Sequence, residues 1–429
     1  MMKGIFLLLP LFFFSGDGED TGRRRSRFDP TQFGVLKTLY PEIGRIHSID
    51  VSADGRFLAC GGGKGGVSVL RTRDWSLVWT ETLPLGTVSS LVFSPQSDSF
   101  AVCGLLSRQI HVLNAKQKGE SRILQGRETG FHDLLWSPDG EQLLSAGKNG
   151  AVQIWDIKSG RTERILRDHK GDVTSLALNW DGSTLFTGGR DGTIRIYETK
   201  EWKQKGNLLN QGRSIRHLYS NLNGKILYGV TLGEKASLCS WDIESGKRIA
   251  SIRMEDGKTV AGLQMDSSLR YILLAVAEDV RVFRRDTLQA VETYKYHRSS
   301  IQALGCSSRL GWIVSGGTGS QVVVWGRLSG GMSSVPPRGF FGVQVRDEGN
   351  LFGASVSAVI PDTAASRAGI QVNDIISRVG KYEVKDMATA IAAIGIHSAG
   401  SKVSFTILRE AKKISITVTL GERPEDVDP

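Results

Sequence analysis

The chain has 429 residues, 40% hydrophobic and 23% charged, which suits one large or two ordinary globular domains with real cores. A mean hydropathy of -0.15 argues against a polytopic membrane protein. The net charge of +10 is uneven: from Val335 onward 11 Lys/Arg meet 11 Asp/Glu, so the basic excess lies upstream. The chain opens on "MMKGIFLLLPLFFFSGDGED", where one lysine precedes an apolar run from Ile5 to Phe14 and small residues follow. That is the layout of a cleaved signal peptide, expected over residues 1–18, with Gly16 and Gly18 at the cleavage site. The same run also suits a buried strand or an interfacial anchor, but it is too short to span a bilayer. No cysteine follows it, which excludes a bacterial lipoprotein anchor. "RRRSR", Arg23 to Arg27, falls in a segment (19–33) expected to be disordered. Cys60, Cys103, Cys239 and Cys306 have neither metal nor redox spacing and read as buried thiols.

Strand ends then recur at Leu70, Leu113, Trp155, Tyr197, Trp241, Phe283 and Trp325, with spacings of 43, 42, 42, 44, 42 and 42. Alternating stretches such as "AVQIWD" and "GTIRIYE" precede them. Ahead of each lies a turn signal: "SADG", "SPQS", "SPDG", "NWDG", "NLNG", and the weaker "DSSL" and "SSRL". Four short strands per unit of this length make one blade of a β-propeller. "WDIKSG" and "WDIESG" resemble the WD-repeat family, and the resemblance spans about 290 residues. It implies a seven-bladed propeller over 34–326. The family's hydrogen-bonded set of His, Ser/Thr, Asp and Trp is nearly complete only in the fourth unit, as His169, Thr187 and Asp191, with Tyr197 for Trp. The last unit lacks an outer strand, and "GVLKTLYPEI" (Gly34 to Ile43) has no other home, so it is expected to supply that strand and close the ring.

A linker is expected over 327–337, then a domain over 338–423 and a tail over 424–429. "GFFGVQV", "GASVSAVI" and "NDIISRVG" read as strands, and "SKVSFTILRE" and "KKISITVTL" as a hairpin. "KDMATAIAAIG" reads as a helix with Met387, Ile391 and Ile394 on one stripe. The order resembles a PDZ domain of the bacterial HtrA type, on "RGFFGV", "PDTAASRAGIQVNDIISRVG" and "SAGSKVSFTILREAKKISITVTLGERP". The expected fold class is thus mainly β, a propeller followed by a small α+β PDZ domain. Asn373 stands where that family has Gly, and both tolerate a positive φ. The resemblance implies a carboxylate-binding loop at Phe340, Phe341, Gly342 and Val343. Gly342 would allow close approach of a peptide backbone, and Val343 to Val345 would offer a strand edge. Phe341, Val343 and Ile391 are the expected pocket walls, with Arg338 adding charge; the two phenylalanines also suit an ordinary core.

No catalytic, metal or cofactor site is expected. "RLSGG" (Arg327 to Gly331) is a serine in a turn-rich linker, without a protease scaffold around it. "GGGKGG" (Gly61 to Gly66) falls between strands with no helix behind it to bind phosphate. The seven histidines are scattered among the repeats. The loops between second and third strands carry Lys64, Arg108, Lys148, Arg190 and Lys235. The inter-blade connections on the same face carry His169, Lys170, Arg213, Lys258 and Arg298. This is either an anion-binding face or the solvated surface of a basic domain. Trp180 and Trp202, with Trp75 in a matching turn, are a partner patch on the opposite face or turn packing. The reading is a non-enzymatic exported scaffold, secreted or periplasmic, that binds protein partners through the propeller and hydrophobic peptide C-termini or exposed strands through the PDZ domain. No nucleic acid and no membrane span in the mature chain are expected. The alternatives are a substrate-recognition or regulatory subunit for a separate envelope protease and, with no visible constellation, an enzyme using the propeller face.

Overall fold

A computed structural model describes residues 30–119, 121–127, 130–209, 213–221, 224–255, 258–266, 269–307, 310–327, 340–346, 353–380, 382–384, 387, 390, 393–394, 397, 400–410 and 412–421. Among them the strands form seven four-stranded antiparallel sheets and one six-stranded sheet. Blades 1 to 6 begin at the inner strands Ile46–Val51, Val88–Phe93, Phe131–Trp136, Val173–Leu178, Ser214–Ser220 and Val260–Met265. Each runs outward through three consecutive strands. Blade 7 has three strands of its own, Ile301–Ser307, Trp312–Gly317 and Val322–Arg327. Its fourth is Phe33–Leu39, paired from Phe33 opposite Arg327 to Leu39 opposite Val322. Apolar contacts then run from blade 7 to blade 1 through Ala303, Val314, Ile46 and Ile49, so the ring is closed.

The turn signals have a conformational basis. Gly55, Gly140, Gly182 and Gly224 take φ between 66° and 73°, the left-handed region where an L side chain is costly. In the weaker sixth turn Leu269 bears that conformation itself, at φ 58°.

Every inner strand has a register shift near its start, as at Ile46/Ser48, Val88/Ser90, Phe131/Asp133 and Val173/Ser175. In blades 1 to 4 a short polar side chain beyond the bulge reaches the next blade. Asp50 accepts from the Phe93 N–H at 2.7 Å, Asp133 from that of Leu176 at 3.0 Å, and Ser175 from that of Leu218 at 2.9 Å. Burial pushes the Asp50 and Asp133 carboxyls up to about 6, even though each also accepts backbone hydrogen bonds that favour its charge.

A second polar device lies within blades. In blade 4, His169 Nε2 is 2.8 Å from the Thr187 hydroxyl, Asp191 lies 3.1 Å from Nδ1, and Tyr197 donates to Asp168 at 2.9 Å. Blade 7 corrects the expectation that only blade 4 carries such a set. There Ser315 Oγ accepts from Trp325 Nε1 at 2.7 Å and lies 2.7 Å from His297 Nε2, while the Gln321 amide stands 3.0 Å from His297 Nδ1. Cys60, Cys103 and Cys239 are buried free thiols, and Cys306 is only half-buried. Burial drives the Cys103 thiol up to about 12, which makes it a poor nucleophile.

The C-terminal sheet runs in the order Val343–Arg346, Ala354–Val359, Ile375–Val379, Lys402–Arg409, Lys412–Thr419, with Tyr382–Glu383 paired to Ile375–Val379. Phe340 and Gly421 exchange backbone hydrogen bonds of 2.7 and 3.1 Å, joining the two ends of this unit. Asn373 does adopt a left-handed φ of 70°. Beside it, Asp374 is 1% exposed and is gripped by Arg409 through bonds of 2.7 and 2.8 Å. This pairing ties the turn to the following hairpin. Among the described helical residues, Ala390 and Ala393 are buried and Ile394 packs on the core, whereas Met387 is exposed. The apolar stripe therefore runs beside Met387 rather than through it; Ile391 lies outside the described residues.

Candidate functional site

The loop at Phe340 to Val343 has its polarity fixed by the short helix Ala364–Arg367. The Phe341 carbonyl accepts from the Ala365 N–H at 2.7 Å, and the Gly342 carbonyl from that of Ile360 at 2.9 Å. Both carbonyls are thus committed inward, and none of the described hydrogen bonds uses the N–H of Phe341 or Gly342. Two adjacent free donors next to a strand are what a carboxylate requires. The strand Val343–Arg346 pairs with Ala354–Val359 on one side, and its other side has no strand among the described residues. Val343 and Val345 are half-buried against the core, while Gln344 and Arg346 are exposed.

One expectation is corrected here, and a packing role is added for Gly342. Phe341 is 2% exposed and stacks on Phe405 at 4.1 Å, so it is a core residue and not a pocket wall. Gly342 is needed for packing: its φ is 90°, and a Cβ there would lie 2.1 Å from Thr363 Oγ1. Thr363 caps the short helix and donates to the Ile360 carbonyl at 2.7 Å, so it cannot retreat cheaply. Phe340 is half-buried. Arg338, like Ile391, lies outside the described residues.

On the propeller, Lys64, Arg108, Lys148, Arg190 and Lys235 all sit between the second and third strands of their blades. Backbone bonds from Lys148 to Gly130, and from Arg190 to Asp172, place these loops beside the inter-blade connections, on one face. The face is not uniformly basic. Arg190 stands 3.5 Å from Asp172, Lys258 3.9 Å from Asp279, and Asp191 takes His169 and the Lys170 N–H. The "GGGKGG" stretch forms a single short turn, Gly63–Gly65, between two strands.

On the opposite face Trp180 is 68% exposed beside a cavity of about 370 Å³ that also touches Leu135, Leu178 and Tyr219. Trp202 does not join it. At 8% exposure it packs among Leu144, Leu166, Leu178 and Tyr197, and Trp75 packs on Trp312 at 5.1 Å. Core packing claims both, and the exposed patch is Trp180 alone.

Sequence reasoning did not find the residues that line the central channel. Among them are His47, Asp50, His132, Asp133, Arg216 and His217, drawn from three blades, and its volume is about 220 Å³. His132 contacts Asp172 at 3.0 Å; burial lowers the pKa of His132 and drives that of His217 down to about 3. Among the described residues no cluster of three or more His, Cys, Asp or Glu is placed to hold a metal ion.

Residues 339–420 match the PDZ domain family, and residues 119–156 and 160–198 match the WD domain, G-beta repeat. The chain therefore joins WD repeats in a propeller-like arrangement of sheets to an HtrA-type PDZ domain. Its PDZ region is similar to that of the periplasmic serine endoprotease DegP of Salmonella typhimurium, 36% identical over 70 residues (16% of this chain and 15% of that protein). The DegP of Escherichia coli K12 is 30% identical over 74 residues, 17% of this chain and 16% of that protein. The cross-pathway control WD-repeat protein 2 of Flammulina velutipes is 26% identical over 142 residues, 30% of this chain and 43% of that protein. The chain thus spans less than half the length of each. The matches to the endoproteases cover PDZ sequence only. Both matched families are interaction modules, which supports a protein-interaction role. No helix among the described residues is long and apolar enough to cross a membrane.

Proposed function

We propose that the chain is an exported, non-enzymatic scaffold of the cell envelope, with residues 1–18 as its signal peptide. Its PDZ domain captures hydrophobic peptide C-termini, and its propeller holds a second protein partner on the loop-bearing face around Lys64, Arg108, Lys148, Arg190 and Lys235. The observation that carries this reading is the pair of N–H groups at Phe341 and Gly342 that no described hydrogen bond uses, next to the side of residues 343–345 that has no strand among the described residues. A terminal carboxylate would take the donors, and the peptide would add as a strand. The two modules on one chain raise the effective concentration of one site for a target held at the other. The periplasmic relatives of the PDZ region support the envelope location.

The test is titration of the full chain with peptides ending in Val or Leu, against the same peptides amidated. Amidation should weaken binding at least about tenfold, because charge-assisted bonds to the loop are lost. Equal binding of both forms would show that the loop does not read carboxylates. A second reading, a substrate-recognition subunit for an envelope protease, is favoured by the likeness of the PDZ region to endoproteases that carry their own. A protease that copurifies with the chain and is stimulated by it would select that reading.

A further inference from the structure

Between blades 5 and 6 the loop-bearing face holds a recess of about 450 Å³. Its wall includes Arg216 from an inner strand of blade 5, Thr259 from the connection between the blades, and Gln302 from an inner strand of blade 7. Arg216 lines the central channel as well, so recess and channel meet at its side chain. Among the described residues none of these three side chains makes a hydrogen bond or ion pair, whereas other cations of this face are engaged: Arg190 with Asp172 and Lys258 with Asp279. Burial and the neighbouring Arg190 lower the pKa of Arg216, yet its surface is open to solvent. Its guanidinium has no counter-charge bonded to it among the described residues. The nearby Asp133 carboxylate attracts it but is not bonded to it; its oxygens take Ser90 and the Leu134 and Leu176 N–H groups.

We propose that this recess receives a single carboxylate, presented by an Asp or Glu side chain of an extended segment of a protein partner, on the Arg216 guanidinium. The inference rests on the reading of the loop-bearing face as the docking side of the propeller and names the chemistry it recognises. One planar guanidinium matches one carboxylate through two parallel bonds. Gln302 and Thr259 supply neutral donors to the same space. Lys235 and Lys258 also line the wall, but Glu234 and Glu255 offset them, so with Arg216 three cations meet two carboxylates and the one positive charge left over matches one carboxylate better than a phosphate dianion. The recess is far larger than one carboxylate group, which leaves room for the flanking peptide.

The test uses the full chain and a positional-scanning library of N-acetylated, C-amidated decapeptides, whose caps remove any terminal carboxylate the PDZ loop would read. Asp or Glu should be enriched at one position. Arg216→Ala should weaken the selected peptide about tenfold or more, Arg216→Lys should restore only part of the loss, and both variants should melt like the parent. Acetate should compete, and inorganic phosphate should compete no better than chloride at equal ionic strength. Binding that keeps its acidic preference in Arg216→Ala but loses it in the triple change Lys148→Glu, Arg190→Glu, Lys235→Glu would overturn this inference and leave the face as the docking side. An absent acidic preference, or one indifferent to all of these changes, would overturn both. Stronger competition by phosphate would overturn the carboxylate assignment.

Discussion

Sheet edges are treated in opposite ways by the two parts of the molecule. The outer strands of the blades put charge at their rims: Arg161, Glu163 and Arg164 in blade 3, Lys203 and Lys205 in blade 4, Arg248 and Arg253 in blade 5. Such side chains discourage a foreign strand from adding. The one blade left a strand short, the seventh, is completed by Phe33–Leu39. In the C-terminal sheet, Val343–Arg346 has one charged residue in four and one side without a strand among the described residues. The same structural hazard is defended in the ring and left available in the small domain. In the proposed function, recognition by strand addition would accordingly fall to the small domain, and the ring would bind through loops and the mouth of its channel.

The contrast is broken most severely by removing residues 30–39. Val322–Arg327 then becomes an undefended apolar edge, and the variant should aggregate or lose its single cooperative unfolding step in tryptophan fluorescence. Unchanged melting would show that the ring does not depend on its closure. All nine tryptophans precede Val335, so this signal follows the ring alone.

Gly342→Ala should come next, costing the PDZ domain about 3 kcal/mol from the positive φ and the clash with Thr363. Hydrogen exchange across Ala354–Val359 would report it, while the tryptophan transition should stay put. A smaller pair of changes sharpens the view of how blades are held. Ser315→Ala strips partners from both Trp325 and His297 and should cost about 2 kcal/mol, whereas Thr187→Val takes a partner from His169 but leaves Tyr197 its bond to Asp168 and should cost about 1 kcal/mol. Chemical denaturation followed by fluorescence would rank them.

A further effect is a pH dependence. Burial places the Asp133 carboxyl at about 6 in the folded chain, above its ordinary value of 3.8. The folded state then binds this proton more tightly than the unfolded one. Its ionisation is a cost to stability above pH 6 that is relieved as the pH falls toward 4. Asp133→Asn should remove that slope, so the melting temperature of the parent minus that of the variant should rise between pH 7.5 and pH 5. A difference that is flat with pH would show that Asp133 titrates as an exposed carboxyl does.

The ring was legible because its signal repeats: a strand end about every 42 residues, with a glycine turn ahead of it, is one local rule applied many times. Asn373 was legible for a similar reason, since a positive φ restricts the residue types that fit. The features that escaped depend on distant partners. Nothing near Gly342 announces that Thr363, 21 residues later, fills the space above it. Trp180 and Trp202 look alike as turn residues, and only packing buries one of them. Gln321 hid the polar set of blade 7 because an amide stands where an acid was sought. Arg216, Thr259 and Gln302 come from different repeat units and share no motif, so they meet only once the ring is closed.

That closure also sets an order of events in time. Phe33 pairs with Arg327 and Leu39 with Val322, so the first strand of the ring to be synthesised waits for the last. Until residue 327 emerges, the growing chain has a partial ring with two unsatisfied ends and a channel open along its length. Pairing across such a sequence separation is slow, because loop closure precedes the contacts that reward it. A nascent chain therefore passes through an aggregation-prone stage lasting as long as the making of nearly the whole propeller, and any chaperone that serves this protein has that interval in which to act.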